Sequence, residues 1–127
     1  APGRGINMGD GWETKRRRKP GHDWVILSLG ATGVIEEVEI DTAHFKGNYP
    51  DQAYLEVCNL GKVGHVSLES LEKASWCKLL TPQKLQADHQ HFYNEQVVKG
   101  IEATHVRLNI LPDGGVSRLR LWGKRLL

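Results

Sequence analysis

The segment from Thr104 to Ile110 constrains the fold most, because its side chains alternate in polarity. Val106, Leu108 and Ile110 are apolar, whereas His105, Arg107 and Asn109 lie between them. A period of two is typical of a β-strand with one face on the core and the other toward water. The segment therefore predicts an antiparallel sheet that is covered on one face.

A second alternating run, Ser117 to Trp122, follows the turn-forming residues 112–115. A turn of this kind between two alternating runs predicts a β-hairpin. The register that buries both apolar sets predicts the cross-strand pairs Leu108 with Leu119, Val106 with Leu121, Arg107 with Arg120 and Asn109 with Arg118. In this register, an anion lying between two neighbouring arginines would relieve their repulsion.

Glycine, aspartate and asparagine divide the rest of the chain into short apolar runs, as in β-rich domains. These runs predict strands at Trp24–Leu29, Val34–Ile40, Tyr54–Cys58 and, with a shorter alternation, Val63–Leu68. The GATG sequence at 30–33 predicts a tight connection between the first two strands. Little of the chain has helical periodicity, so residues 69–100 are predicted as loops with one helical turn.

Length and charge exclude several classes of protein. The 127 residues fit one domain, and a net charge of +2 is too small for the whole surface to bind a polyanion. No apolar run approaches the roughly 18 residues of a membrane span, so no membrane association is predicted. Cys58 and Cys77 alone do not make a disulfide framework. We therefore expect an intracellular protein, cytoplasmic or peroxisomal.

The segment from Gly9 to Asp23 is the first candidate for function. It combines three carboxylates, one histidine and the consecutive cations Lys15 to Lys19, which predicts a binding loop. A solvated basic turn, a nuclear address and attachment to nucleic acid are the alternatives. The acidic neighbours and the lack of an aromatic platform disfavour nucleic acid. Trp12 and Trp24 are interpreted as core anchors for the loop.

A second dense group, Asp41 to Asn48, directly follows a predicted strand. Aspartate, histidine and lysine in a glycine-containing loop directly after a strand are suited to acid–base catalysis. The alternative is that Asp41 and Asn48 organise turns while His44 is an ordinary surface residue. His89 and His91 could share one strand face, but no carboxylate pattern beside them predicts a metal site.

Three stretches together resemble one repeat of the allantoicase family: GRGINMGDGWETKRRRKPGHDWVILSLG, VEIDTAHFKGNYPDQAYLE and THVRLNILPDGGVSRLRLWG. The match runs from Gly3 to Gly123 and is weakest between Cys58 and Gly100. GDGWET and DTAHFKGN resemble the second of the family's two repeats. The resemblance implies an all-β fold, a jelly-roll β-sandwich of the galactose-binding or discoidin type, in which 1–127 form one repeat domain from a two-repeat protein.

The implied reaction is hydrolysis of allantoate to ureidoglycolate and urea in purine catabolism. Breaking the bond to a ureido nitrogen requires an acid that protonates the leaving urea and a base that delivers water. The substrate carboxylate requires fixed cations, and the planar arginine fork can hold two oxygens at once. The matching motifs supply these candidates: for acid–base catalysis Asp10, Glu13, His22 and His44; for substrate binding Arg16, Arg18, Lys46, Asn48, Arg118 and Arg120; as orienting residues Asp23 and Asp41.

Not all four arginines can bind the substrate. The alternative function is a noncatalytic jelly-roll module that binds a small anion or a carbohydrate, because the same sandwich supports both kinds of recognition. The implied partners are allantoate, a second allantoicase repeat and further copies in a homo-oligomer, and nucleic acid is the last choice. No cofactor is predicted, although a divalent metal stays open. The proposed chemistry requires that the three motif groups converge on one small anion.

Overall fold

A computed structural model of the chain describes residues 14–19, 22–61 and 66–126, the first of these ranges by its backbone alone. The described residues form seven β-strands and one short α-helix. The elements are β1 (Thr14–Lys19), β2 (His22–Asp41), β3 (Gln52–Cys58), α1 (Leu68–Lys73), β4 (Cys77–Lys84), β5 (Gln90–Tyr93), β6 (Glu102–Leu111) and β7 (Arg118–Arg125).

The strands form one antiparallel sheet that curls into two layers. The long strand β2 connects the layers, because its two halves pair with different strands. Its first half lies between β1 and β6, and the first layer has the order β1-β2-β6-β3-β4. Its second half, from Gly33, pairs with β7 on one side and with β5 on the other. The second layer is therefore the narrow sheet β5-β2-β7.

β2 bends at residues 30–33, where the sequence predicts a tight connection between two separate strands. Residues 30–33 stay within the strand, so the prediction of two separate strands is wrong, although both predicted segments lie inside β2. The register with β6 shifts between Ser28 and Gly33, and Gly30 has a φ of 74°. Because glycine adopts positive φ without strain, the strand can turn there from one layer into the other.

The core fills the space between the layers. Away from the register shifts in β2 and β4, the inward positions of the strands alternate with outward ones, as the period of two requires. The inward side chains are aliphatic and almost fully shielded from water: Leu29, Ile35, Val38, Ile40, Ala53, Leu55, Val57, Leu79, Leu80, Val106, Leu108, Ile110, Leu119 and Leu121. The predicted apolar faces of β3, β6, β7 and the second half of β2 are therefore buried.

The predicted hairpin is wrong, because β6 and β7 lie in different layers. β6 pairs with β2 and β3, whereas β7 pairs with β2. The predicted cross-strand pairs of Leu108, Val106, Arg107 and Asn109 with β7 therefore do not form. Both strands still turn their apolar side chains into one core, but they face each other across it instead of lying side by side.

The segment 69–100 contains more regular structure than its pattern predicts. α1 supplies the helical turn, with the Ser67 hydroxyl accepting a hydrogen bond from the backbone N–H of Ser70 at 3.1 Å. The pattern predicts neither β4 nor β5. β4 shifts register twice against β3, which breaks the period of two, and β5 has only four residues. Residues 63–65 of the predicted strand Val63–Leu68 lie outside the described residues, and its last residue, Leu68, begins α1. The prediction of a loop is wrong at Thr14–Lys19, which forms a strand.

Candidate functional site

The described parts of the three motif groups lie at one end of the sandwich. Asp23, near the start of β2, pairs with Ile110 near the end of β6, and Asp41, at the end of β2, pairs with Arg118 at the start of β7. The loop 112–117 connects these two points. It is held by hydrogen bonds that the Ser117 backbone N–H (2.8 Å) and hydroxyl (2.9 Å) donate to the Asp41 carbonyl oxygen.

The connection between β2 and β3 is a structured loop. The buried Asp41 carboxylate accepts a hydrogen bond from the Ala43 backbone N–H at 2.8 Å, which starts the turn. His44 has a φ of 72°, and its backbone N–H donates to Asp88 Oδ1 at 2.8 Å. The Asp88 backbone N–H in turn donates to the Phe45 carbonyl at 3.0 Å. The loop that presents His44 is therefore locked to the connection between β4 and β5.

Thr42 strengthens the same attachment. Its hydroxyl donates to the Gln86 carbonyl oxygen at 2.6 Å and accepts from the His89 backbone N–H at 3.1 Å. Its own backbone N–H donates to the His89 carbonyl at 2.9 Å. Since Thr42 is fully buried, these bonds are shielded from water and hold the two loops in a single arrangement.

On the outward face of the second layer, the carboxylates of the central strand β2 lie between β7, which carries arginines, and β5, which carries Gln90. β2 supplies Glu39 and Asp41 on this face, and register places Arg120 and Arg118 beside them on β7. Glu39 is only 1% exposed. Its Oε1 lies 3.6 Å from Arg120 Nη1, and its Oε2 accepts a hydrogen bond from Gln90 Nε2 at 3.1 Å. Pairing of this kind makes a buried carboxylate tolerable.

Two concave surfaces flank this end of the molecule. A cleft of about 290 Å³ is lined by Asp23, Trp24, Val25, Leu108, Ile110 and Gly114–Val116. A shallower depression of about 550 Å³ is lined by Asp41, Ala43, Asp88, His89, Gln90 and Phe92. Phe92 at the edge of the depression is 65% exposed. Of the predicted orienting residues, Asp23 lines the cleft and Asp41 lines the depression. The described geometry thus offers two neighbouring sites.

The remaining candidates are distributed around this end. Lys46 and Asn48 are exposed on the loop after β2, where the Asn48 carbonyl accepts a hydrogen bond from the Gly115 backbone N–H at 2.8 Å. In the β1–β2 register, Arg16 pairs with Val25 and Arg18 pairs with Asp23. Asp10 and Glu13 lie outside the described residues.

His22 and the β7 arginines are not brought together. His22 lies on the outward face of the first layer, where its Nε2 is 2.8 Å from Asn109 Oδ1. Arg118 and Arg120 lie on β7, in the second layer. The structure therefore joins Asp41 with the β7 arginines but separates His22 from them.

Sequence reasoning missed several polar residues at this end. Glu39 could have been found, because it alternates with Val38 and Ile40 on the strand that leads to Asp41. Asp88 and Gln90 come from a segment without periodic signal. The alternation of β6 predicts a water-facing Asn109, but this residue is 1% exposed. Its burial comes from side chains that are distant in the sequence, His22 and Glu56, with which it forms hydrogen bonds.

The surroundings of one cysteine and two histidines argue against a nucleophilic thiol and a metal site among the described residues. Burial raises the pKa of the Cys58 thiol to about 11, so the nucleophilic thiolate is disfavoured there. The His91 ring uses both nitrogens, one 2.9 Å from the Ile40 carbonyl oxygen and one accepting from the Gln86 backbone N–H at 2.9 Å. The His89 and His91 rings lie 4.7 Å apart. Within residues 14–19, 22–61 and 66–126, no cluster of three or more potential metal ligands occurs.

The helix content also bears on membrane association. In the part of the chain that the structure describes, no helix has the length and apolar character needed to span a bilayer.

Solved structures confirm the all-β fold. An F5/8 type C domain from Bacteroides fragilis superimposes with a TM-score of 0.65 at 13% sequence identity, covering 98% of this chain and all (100%) of that domain. An allantoicase structure from Saccharomyces cerevisiae gives a TM-score of 0.66 at 41% identity, covering 97% of this chain and 34% of the yeast chain. The fold is thus the discoidin type of β-sandwich.

Sequence comparisons identify the family. The model of the Allantoicase repeat family matches residues 1–126. A probable allantoicase from Acinetobacter baumannii strain AYE is 52% identical over 97% of this chain and 36% of the relative. Probable allantoicase 1 from Burkholderia mallei is 56% identical over 96% of this chain and 36% of the relative. The chain spans about a third of the length of these relatives. It belongs to the allantoicase repeat family.

Proposed function

We propose that this chain is one repeat of an enzyme that hydrolyses allantoate to ureidoglycolate and urea, and thereby acts in purine catabolism. The observation that carries the proposal is the family match across residues 1–126, together with 52% identity to a protein named probable allantoicase. The geometry of the described end supports it, because carboxylates, arginines and a histidine-bearing loop lie within one region.

Substrate binding would depend on arginine. Allantoate carries a carboxylate and two ureido groups, and guanidinium groups donate to both kinds of oxygen. Arg118 and Arg120 lie beside Asp41 and Glu39 on the second layer. Arg16 and Arg18 of β1, Lys46 and Asn48 are the further candidates for substrate contacts.

Acid–base catalysis would split between the candidate groups. The base accepts a proton from the water that forms the new bond to the central carbon, while the acid protonates the ureido nitrogen as the carbon–nitrogen bond breaks. His44 is presented on a loop that Asp88 and Thr42 hold in place. His22, Asp10 and Glu13 are the other candidates, with Asp23 and Asp41 as orienting residues.

The intact protein is proposed to be larger than this chain. Its relatives are about three times as long, so we expect a second allantoicase repeat. Assembly into a homo-oligomer is a separate proposal that follows from the family resemblance. We also expect an intracellular location, cytoplasmic or peroxisomal. No cofactor is proposed for this reaction.

The test is urea release from allantoate by the intact protein that carries this repeat. Arg120→Ala should raise KM about tenfold, because a charge-assisted contact is worth roughly 1.4 kcal/mol or more. His44→Ala should lower kcat by about a hundredfold. Arg125→Ala, an exposed change at the other end of β7, is the matched control and should leave both constants unchanged.

Absence of urea release by the wild-type protein would contradict the proposal. Binding of allantoate without turnover would support the noncatalytic module instead. Unchanged kinetics in His44→Ala or Arg120→Ala would remove that residue from the proposed site. Circular dichroism of each variant separates loss of chemistry from loss of fold.

A further inference from the structure

Four polar side chains form a continuous chain of hydrogen bonds on the outward face of the first layer. Arg107 donates to Glu56 Oε1 from Nε at 3.0 Å and from Nη2 at 2.9 Å. Asn109 Nδ2 donates to the same oxygen at 3.0 Å. Asn109 Oδ1 then lies 2.8 Å from His22 Nε2. The chain of hydrogen bonds therefore runs from a guanidinium to an imidazole and joins three strands, β6, β3 and β2.

The donors and acceptors in this chain have only one consistent arrangement. Asn109 Nδ2 faces two acceptors, the Glu56 carboxylate and the Arg107 carbonyl oxygen at 3.3 Å. The amide group must therefore point its NH2 toward them and its oxygen toward His22. An amide oxygen only accepts, so His22 Nε2 must carry the hydrogen of that bond.

The surroundings keep this arrangement rigid. Asn109 is 1% exposed, and the Arg107 guanidinium lies 4.4 Å from the ring centre of Trp76 and 5.9 Å from that of Trp24. The His22 ring stacks on Tyr54 with centroids 6.1 Å apart and an interplanar angle of 27°. The imidazole is thus held by a hydrogen bond at one nitrogen and by a ring contact on its face.

We propose that Asn109 and Glu56 are positioning residues that keep a proton on His22 Nε2 and leave Nδ1 as the nitrogen that exchanges protons. Among the described residues, His22 Nδ1 makes no hydrogen bond. The proposal rests on the proposed function for its role in catalysis. In that role Nδ1 is the base, which accepts a proton as the O–H bond of the attacking water breaks, while a second candidate group is the acid that protonates the nitrogen of the departing urea.

The first test reads the tautomer directly and needs no substrate. Histidine-selective ¹⁵N NMR of the intact protein at neutral pH should show His22 with hydrogen on Nε2, and the resonance is assigned by its loss in His22→Gln. A His22 hydrogen on Nδ1 in the neutral ring would overturn the proposal. This result stands whether or not the protein acts on allantoate.

The second test separates positioning from packing. Asn109→Ala should lower kcat for urea release about 10- to 100-fold, the range typical of lost supporting hydrogen bonds, with little change in KM. The double variant Glu56→Gln/Asn109→Asp keeps an acceptor opposite His22 Nε2 and lets the new amide at position 56 donate to the new carboxylate at position 109. It loses the hydrogen bond to the Arg107 carbonyl oxygen and moves the carboxylate next to His22. It should recover the Nε2–H tautomer and most of kcat, and shift the acidic limb of the rate profile toward higher pH by about one unit.

Asn94→Asp is the matched control. Asn94 is exposed and donates from Nδ2 to Glu37 Oε1 at 3.0 Å, the same chemistry on the second layer. It should change neither kcat nor the pH profile.

If the wild-type protein releases urea while Asn109→Ala keeps its kcat and its tautomer, the positioning role is wrong. If the wild-type protein releases no urea, the proposed function fails, and the NMR result alone decides the tautomer.

Discussion

At the scale of single residues, burial decides the chemistry of Cys58 and Cys77. The two lie on neighbouring strands, where Cys77 pairs with Val57, but Cys58 is 3% exposed whereas Cys77 is exposed. Burial raises the pKa of the Cys58 thiol from 9.0 to about 11. The folded state therefore holds the Cys58 proton at a pH where the unfolded chain has released it.

This difference predicts a loss of stability at alkaline pH. Between about pH 9 and 11 the unfolded state binds fewer protons than the folded state, so the free energy of unfolding falls as pH rises. The thiol should contribute a loss of about 2 kcal/mol by pH 11. Urea unfolding from pH 8 to 11 measures the loss, and Cys58→Ala should make that part of the curve less steep. The remaining slope comes from groups such as Tyr54 and Tyr93, whose pKa values burial also raises. Cys77→Ala should keep the wild-type slope, and equal slopes for wild type and Cys58→Ala would show that Cys58 does not cause the loss.

At the scale of elements, β2 organises the structure because it is shared by both layers. Its register with β7 shifts between Ile35 and Glu37, and Gly123 lies opposite Ile35 at this point. A Cβ on Gly123 would lie 1.8 Å from the Val34 carbonyl oxygen. Only glycine lets the two backbones approach so closely, so the neighbouring strand β2 restricts position 123 to glycine.

The close approach predicts a large effect of Gly123→Ala. The clash is with backbone, which cannot move without disturbing the pairing of β2 with β7, so we expect a loss of about 3 kcal/mol or more in unfolding free energy. Gly47→Ala is the matched control, since nothing lies within 4 Å of a Cβ built there. It should change stability by less than about 0.5 kcal/mol. Urea unfolding checks both variants, and similar small losses would contradict the close approach of β2 and β7 at Gly123.

At the scale of the whole molecule, the shared strand couples the two layers. β2 contributes to the core from both halves, through Leu29 in the first and Ile40 in the second, and no layer has a core of its own among the described residues. A chain with one core unfolds as a single cooperative unit.

Cooperativity predicts that both layers unfold together. Tryptophan fluorescence from Trp24, in the first layer, and from Trp122, in the second, should report the same midpoint in urea. Versions of the chain that keep one of these tryptophans, with the others replaced by phenylalanine, separate the two signals. Two distinct midpoints would show that the layers unfold independently.

The sequence by itself determined which side faces the core in the strands with alternating polarity: β3, β6, β7 and the second half of β2. Alternation in Thr104–Ile110 and Val34–Ile40 is local information, because a period of two assigns faces without knowledge of any partner. The resemblance to the allantoicase family likewise came from contiguous motifs, and it predicted the sandwich that the structure has.

Only the tertiary structure decided which strands and which polar side chains are neighbours. His22 meets Asn109 across 87 positions in the chain, and Glu39 meets Gln90 across 51. A turn followed by an alternating run predicted pairing between β6 and β7, but both strands satisfy their backbone by pairing with β2. Partner choice depends on the total burial and hydrogen bonding of the folded chain, which no local pattern contains.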